Sequence, residues 1–298
     1  MSSISDFSKG LMEAVERGGA ATVLVDARHR FPASGIVYAP DLILTADHVV
    51  TRDEDLSIVT PGGDETAVMN VGRDPGSDLA LLRSSAGRLS PPKTATAESK
   101  VGQLVLALGR PSKAGVQASW GVITAIGGPT RTGRGGLLDA YIQSETTPYP
   151  GFSGGPLIDT EGNVMGLNTS GLTRGGALTI PVHVAWRIAD ALAKFGTVKR
   201  GYFGVRTQSV ELPETTRLMV PSRQDRGLLV MWLEDKGPAS QAGMMMGDII
   251  IGVGATTVGD PDDLFAALTS ETVGKSVRVD VLRGGKLQSL SVTVGERQ

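Results

Sequence analysis

Tyr149-Pro150-Gly151-Phe152-Ser153-Gly154-Gly155-Pro156 is the stretch on which the fold and the chemistry of this chain turn. A serine packed among glycines can bring its hydroxyl and the neighbouring backbone N–H groups against a single carbonyl, because glycine reaches backbone conformations that such a loop needs. The hydroxyl is a poor nucleophile until a histidine takes its proton and a carboxylate holds that imidazole in one tautomer. Both partners lie upstream, first in Leu44-Thr45-Ala46-Asp47-His48-Val49-Val50 and then in Ser77-Asp78-Leu79-Ala80-Leu81-Leu82.

The order His, Asp, Ser along the chain is the chymotrypsin-type order. A histidine taken alone is more often structural; His48 is singled out as general base by the paired Asp78 and Ser153 motifs. His29, within Arg28-His29-Arg30, and His183, near a helix start, keep the structural reading. Asp47 and Asp74 are rival carboxylates on composition, and Asp78 is preferred because it abuts the apolar run Leu79-Ala80-Leu81-Leu82. Gly151-Phe152-Ser153-Gly154-Gly155 also satisfies the nucleophile elbow of the α/β-hydrolases. That elbow needs a helix directly after the serine and a later acid and histidine, whereas Gly154-Gly155-Pro156 blocks a helix. The N–H groups of Gly151 and Ser153 are expected to form an oxyanion hole. Residues 145–148 and 167–171 are expected to line the primary specificity pocket, with Thr147 near its base and Leu167, Asn168, Thr169 and Ser170 on its wall. No acid lies there, so a basic side chain gains nothing.

With 298 residues and a formal net charge of −2, the chain has room for two domains and carries no dense Lys/Arg stripe. Binding to nucleic acid or to an anionic membrane surface is not expected. Cysteine is absent and the three histidines are scattered singly, which excludes disulfides and argues against a zinc site; no metal or other cofactor is expected. The start Met1-Ser-Ser-Ile-Ser-Asp-Phe lacks a basic segment and an apolar run, and no stretch approaches eighteen apolar residues. A cytoplasmic location is the expectation, with a periplasmic or other extracytoplasmic one as the alternative if an export signal has been trimmed away.

Apolar residues at helical spacing predict a short helix over 4–16. From Thr22 to Leu178 short β-rich runs follow one another, including 22–25, 36–38, 43–45, 56–59, 79–82, 103–108, 121–126, 141–144 and 164–169, as in barrels or sandwiches. A helix over 181–195 then precedes a domain boundary, giving domains 1–199 and 200–298. The second domain reads as α+β: strands at 202–207, 227–232 and 248–253, helices at 239–242 and 261–268, and a closing hairpin turned by Gly284-Gly285.

Taken together, these motifs resemble the HtrA family of serine proteases, a chymotrypsin-like double six-stranded β-barrel followed by an α+β PDZ domain. Gly72-Arg73-Asp74-Pro75, Tyr141-Ile142-Gln143 and Gly166-Leu167-Asn168-Thr169 add to the three stretches already quoted, so the match runs nearly end to end. The resemblance implies an ATP-independent endopeptidase acting on unfolded or damaged proteins, with His48 as base, Asp78 as its orienter and Ser153 as nucleophile. It implies a homotrimer or a higher multiple. In the second domain Tyr202, Phe203, Gly204 and Val205 resemble the carboxylate-binding loop, and Leu264 and Leu268 on the 261–268 helix would wall a groove for peptide C-termini. Phe152 stands where the family usually has Asn, which puts an aromatic beside the cleft. The segment Arg28-His29-Arg30-Phe31-Pro32 is short where some relatives carry a long loop. A rival reading is a catalytically slow chaperone or peptide-binding scaffold.

Overall fold

The computed structural model describes residues 4–85, 87, 89–132, 136–172, 178–268 and 272–297. The chain divides into two units, Met1–Val198 and Lys199–Gln298. The first opens with helix α1 (Ile4–Gly19), one turn longer than its apolar spacing predicts.

Six strands then close a barrel: β1 (Thr22–Asp26), β2 (Ala33–Ala39), β3 (Leu42–Ala46), β4 (Ser57–Val59), β5 (Glu65–Asp74) and β6 (Leu79–Ser84), in the spatial order β1-β2-β3-β6-β5-β4. The runs in β3 and β6 are continuously apolar because both of their faces are buried. Side chains alternate across a strand, so Ile43, Ala80 and Leu82 enter one core cluster while Leu44, Leu79 and Leu81 enter another. A second barrel is built from β7 (Leu104–Ser112), β8 (Gly115–Gly127), β11 (Tyr141–Ser144), β12 (Pro156–Ile158), β13 (Val164–Thr169) and β14 (Leu178–Pro181), in the order β11-β14-β13-β12-β7-β8. A two-stranded ribbon of β9 (Thr130–Arg131) and β10 (Leu137–Leu138) interrupts them. Helix α2 (Val182–Phe195) ends at Gly196, whose φ of +72° lets its N–H reach the Leu192 carbonyl. Its Val184, Ile188 and Leu192 share the second of those clusters with Leu79 and Leu81.

Besides the ribbon strands β9 and β10, three strands of the first unit have no counterpart among the expected runs. β5 mixes exposed, half-buried and buried positions, and its short apolar run Ala67-Val68-Met69 is flanked by polar residues. β12 and β14 are short and fully buried.

The second unit holds β15 (Arg200–Tyr202), β16 (Val205–Glu211), α3 (Glu214–Arg217), β17 (Arg226–Leu233), α4 (Pro238–Gln241), β18 (Ile249–Val253), β19 (Thr256–Thr257), α5 (Pro261–Ala267), β20 (Ser276–Arg283), β21 (Lys286–Thr293) and β22 (Gly295–Arg297). Its main sheet runs β16-β17-β18-β20-β21, which leaves β16 at an edge. The single strand expected over 202–207 is two strands, broken where Gly204 takes a φ of +76°. Helix α5 starts on a capping box, the Asp260 and Asp263 side chains each accepting a backbone N–H of the other.

Candidate active site

β3 and β6 are neighbours, with Ala46 paired to Leu79, so the residues just beyond β3 and just before β6 meet at one end of the first barrel. There the 3₁₀ turn Asp47–Val49 presents His48, and the Asp47 N–H donates to the Asp78 carbonyl at 3.0 Å. Asp78 is fully buried and holds a left-handed backbone, φ +57°. Its Oδ1 accepts the His48 backbone N–H at 2.9 Å and its Oδ2 lies 2.7 Å from His48 Nδ1. The Thr169 hydroxyl also donates to Oδ2. An ionised carboxylate can only accept, so Nδ1 carries the proton and Nε2 presents a lone pair. The rival carboxylates are engaged elsewhere: Asp47 accepts Arg73 Nε at 2.6 Å, and Asp74 accepts the Ser77 hydroxyl at 2.5 Å.

Ser153 lines the same cavity as His48, a cleft of about 570 Å³. Its hydroxyl is 3.1 Å from that of Ser170, and among the described residues this is its hydrogen bond. Contacts between nucleophile and base are often long in a free enzyme and tighten on substrate. The loop around Ser153 needs its glycines, since Gly151 and Gly154 have φ of +89° and +87°. It is held from the first barrel by Ser34. The Ser34 N–H donates to the Ser153 carbonyl at 3.1 Å and its hydroxyl to the Gly151 carbonyl at 2.6 Å. Among the described residues nothing accepts the N–H of Gly151 or of Ser153, so both are available to a developing oxyanion.

Phe152 is turned inward, 2% exposed, in the core of the second barrel with Val105, Ala107 and Leu157. Its ring fills the space that a Cβ on Gly109 would occupy, 2.5 Å away. It therefore anchors the loop that carries Ser153 as well as bordering the cleft.

Asn168, Thr169 and Ser170 line the cavity with Ser144, Thr146 and Thr179, and no carboxylate among the described residues does. Two expected pocket residues are corrected. Leu167 alternates to the opposite face of β13 and is fully buried in the core, and Thr147 is exposed, its N–H donating to Ser119 Oγ at 2.7 Å; neither lines the cavity. Sequence reading missed Ser34, the bond from Thr169 to Asp78, and the close approach of Gly171, expected only in the pocket wall, to the pair. A Cβ on Gly171 would stand 2.4 Å from Asp78 Oδ2 and 2.6 Å from His48 Nδ1, so only glycine lets that segment lie against the pair. Arg28, His29, Arg30 and Phe31 form a further part of the lining.

In the second unit Tyr202, Phe203, Gly204 and Val205 span the break between β15 and β16, beside the free edge of β16. The Gly204 carbonyl accepts the Glu234 N–H at 2.8 Å and the Phe203 carbonyl the Ala239 N–H at 2.9 Å, while nothing among the described residues accepts the N–H of Phe203 or Gly204. Leu264 and Leu268 are drawn into the unit's core cluster with Phe203 and Val230, because burial in that core is the larger apolar surface open to them.

Two closed six-stranded barrels followed by a second unit with its own sheet define a chymotrypsin-like fold joined to a PDZ domain. Residues 33–167 match the trypsin-like peptidase domain family and residues 201–294 the PDZ domain family. A "probable periplasmic serine endoprotease DegP-like" of Brucella suis biovar 1 (strain 1330) is 33% identical over 270 residues, which are 88% of this chain and 52% of that protein. A protein of the same description from Halomonas elongata is 33% identical, covering 88% of this chain and 56% of its own length. The chain thus spans about half the length of the curated relatives it matches. Among solved structures, the HtrA-type protease AlgW with a tripeptide superposes with a TM-score of 0.82 at 27% identity, covering 97% of each chain. The serine endoprotease from Yersinia pestis gives 0.78 at 27% identity, covering 97% of this chain and 98% of that one. The chain thus holds a trypsin-like peptidase domain followed by one PDZ domain, and over most of its length it is similar to DegP-like serine endoproteases and to HtrA-type protease structures. The expectation of a cytoplasmic location is overturned by these relatives, which are named periplasmic. No helix among the described residues is long and apolar enough to cross a membrane.

Proposed function

We propose that this chain is an ATP-independent serine endopeptidase acting on unfolded or damaged protein, with residues 1–199 as the protease domain and residues 200–298 as a PDZ domain that binds peptide C-termini. The observation that carries the reading is the 2.7 Å bond from His48 Nδ1 to buried Asp78, beside Ser153 on one cavity. Ser153 Oγ attacks the scissile carbonyl carbon while His48 Nε2 takes its proton. The N–H groups of Gly151 and Ser153 bind the oxyanion, each donor contributing about 3 kcal/mol to the transition state. His48 then gives the proton to the leaving amine, and water releases the acyl group by the same steps in reverse. An uncharged side chain precedes the cleaved bond, since among the described residues no carboxylate lines the cavity to meet a cation. In the second domain the N–H groups of Phe203, Gly204 and Val205 take a terminal carboxylate and the peptide adds as a strand to β16.

The test is hydrolysis of casein by the full chain and by Ser153→Ala, with turnover expected to fall on the order of a millionfold. Proteolysis that survives Ser153→Ala in a clean preparation refutes the assignment. The Ser153 hydroxyl resting on Ser170 favours a second reading, a slow enzyme that serves mainly as a scaffold. That reading requires negligible casein hydrolysis by the unaltered chain together with suppression of aggregation of unfolded protein.

A further inference from the structure

The short connection between β1 and β2 carries charge to the active-site cavity and leaves it unneutralised. Arg28, His29, Arg30 and Phe31 line the same cleft as His48 and Ser153. Two arginines of the same barrel are matched with acids, Arg52 with Asp26 at 2.7 Å and Arg73 with Asp47 at 2.6 Å. Arg28 and Arg30 are not. Arg28 donates from Nε to the Phe31 carbonyl and from Nη2 to the Pro32 carbonyl at 3.3 Å, which staples the connection but supplies no negative charge. Arg30 is exposed, and among the described residues neither arginine has a carboxylate partner. Partial burial pushes the Arg28 guanidinium down from its usual range, with no opposing charge to raise it again. Among the described residues no carboxylate lines the cavity, and Asp78 is fully buried behind His48.

The two sides of the cleft therefore differ in kind. The side from the second barrel, with Ser144, Thr146, Asn168, Ser170 and Thr179, is uncharged and polar. The side from the first barrel, with Arg28, His29 and Arg30, is cationic, and the Pro32 carbonyl that ends it lies 3.0 Å from where a Cβ on Gly151 would stand, so it adjoins the nucleophile loop. On the reading that Ser153 is the nucleophile and Asn168 to Ser170 receive the side chain before the scissile bond, the residues after that bond run along the first-barrel side.

We propose that Arg28 and Arg30, with His29 when protonated, select substrates with acidic residues within the first three positions on the leaving-group side of the scissile bond. Arg30 is the specificity-determining member that can be altered freely. Arg28 both holds the connection and contributes charge.

The test uses full-length Ser153→Ala and three peptides that differ only at the second position after the scissile bond, carrying Glu, Gln or Lys there. All are C-terminally amidated, so that carboxylate capture by the PDZ domain does not contribute. By fluorescence anisotropy at low salt, Glu is expected to bind about tenfold tighter than Lys, with Gln between them. The gap should shrink at high ionic strength, where charges more than a few ångströms apart are screened. Arg30→Gln should narrow the gap and Arg30→Glu should invert the order, with thermal melts confirming that both variants fold. Equal binding of the three peptides, no binding of any of them, or an order indifferent to Arg30→Glu overturns the proposal. The same peptides are then offered to the chain with Ser153 intact. Preferential binding of the Glu peptide without any hydrolysis would refute the proteolytic reading and leave the cationic wall standing; hydrolysis without charge preference would do the reverse.

Discussion

Gly171→Ala should cripple turnover while sparing the fold. The added methyl would lie 2.4 Å from Asp78 Oδ2, 2.6 Å from His48 Nδ1 and 2.8 Å from Asp78 Cγ. Ordinary contacts of a Cβ begin near 3.4 Å, so about 1 Å must be found, and the atoms in the way are those that make the 2.7 Å bond between base and orienter. Asp78 cannot retreat, being fully buried and tied to the His48 N–H and the Thr169 hydroxyl. Either the imidazole turns or the segment after β13 lifts away and takes its Gly171 N–H from the Thr169 hydroxyl, a bond now 3.0 Å long. A misplacement of about 1 Å costs on the order of a hundredfold in rate, and a wrongly oriented imidazole about 10⁴. The expectation is therefore a fall in kcat of about 10² to 10⁴ with KM changed less than about threefold. Initial rates on a fluorogenic peptide give both parameters, and a thermal melt gives the fold. Gly10→Ala is the control, since nothing lies within 4 Å of the Cβ it would add. If Gly171→Ala keeps a third or more of the wild-type kcat with an unshifted melt, the placement of this segment over the pair is wrong.

Three further outcomes are expected. Thr169→Val removes a hydroxyl that donates to the Asp78 carboxylate; a bond to a charged acceptor contributes about 1.5–3 kcal/mol, so steady-state kinetics should show kcat about 10- to 100-fold lower, and an unchanged kcat would count against the role given to that hydroxyl. Phe152→Ala empties a core position that is 2% exposed; a loss of about 3–5 kcal/mol should appear in urea titration, and a cost below about 1 kcal/mol would mean that the ring does not anchor the loop. Tyr38 is raised to about 12, chiefly by burial and then by its hydrogen bond to Asp190. The folded state keeps that proton while the unfolded chain loses it above about pH 10, so stability declines between pH 10 and 12. Urea midpoints measured across that window should fall less steeply in Tyr38→Phe, and identical slopes would refute the assignment.

His48 and Asp78 are legible as a pair because each sits at the end of an apolar run, and adjacent antiparallel strands bring those ends together. The choice among carboxylates is less legible, since Asp47, Asp74 and Asp78 differ only in what they meet in three dimensions: Arg73, Ser77 and His48. Phe152 reads as an aromatic at the cleft, which it borders, but its place in the core against Gly109 is not legible, because it depends on the loop's positive-φ glycines. Strand β5 is hidden because its short apolar run Ala67-Val68-Met69 is flanked by polar residues. Gly171 and Thr169 act on groups that come from a different barrel, and nothing local marks them.

Ser34 shows why those long-range residues matter to the chemistry. The two N–H groups assigned to the oxyanion belong to Gly151 and Ser153, and the carbonyls of those same two residues both accept hydrogen bonds from Ser34. Ser34 is fixed in turn by the Thr45 hydroxyl, which donates to its carbonyl at 2.7 Å, and by the Arg110 N–H, which donates to its hydroxyl at 2.8 Å. The nucleophile loop of the second barrel thus takes its orientation from a residue near the start of β2 in the first. A Cβ on Gly154 would stand 2.0 Å from the Ser34 carbonyl, so this close approach admits no side chain. Ser34 also lies two residues beyond Arg28-His29-Arg30-Phe31-Pro32, the connection stapled by the Arg28 guanidinium. One short segment of the first barrel therefore carries both the charge proposed to face substrate and the anchor of the loop whose N–H groups are proposed to bind the oxyanion. Lengthening it would disturb turnover as well as selectivity.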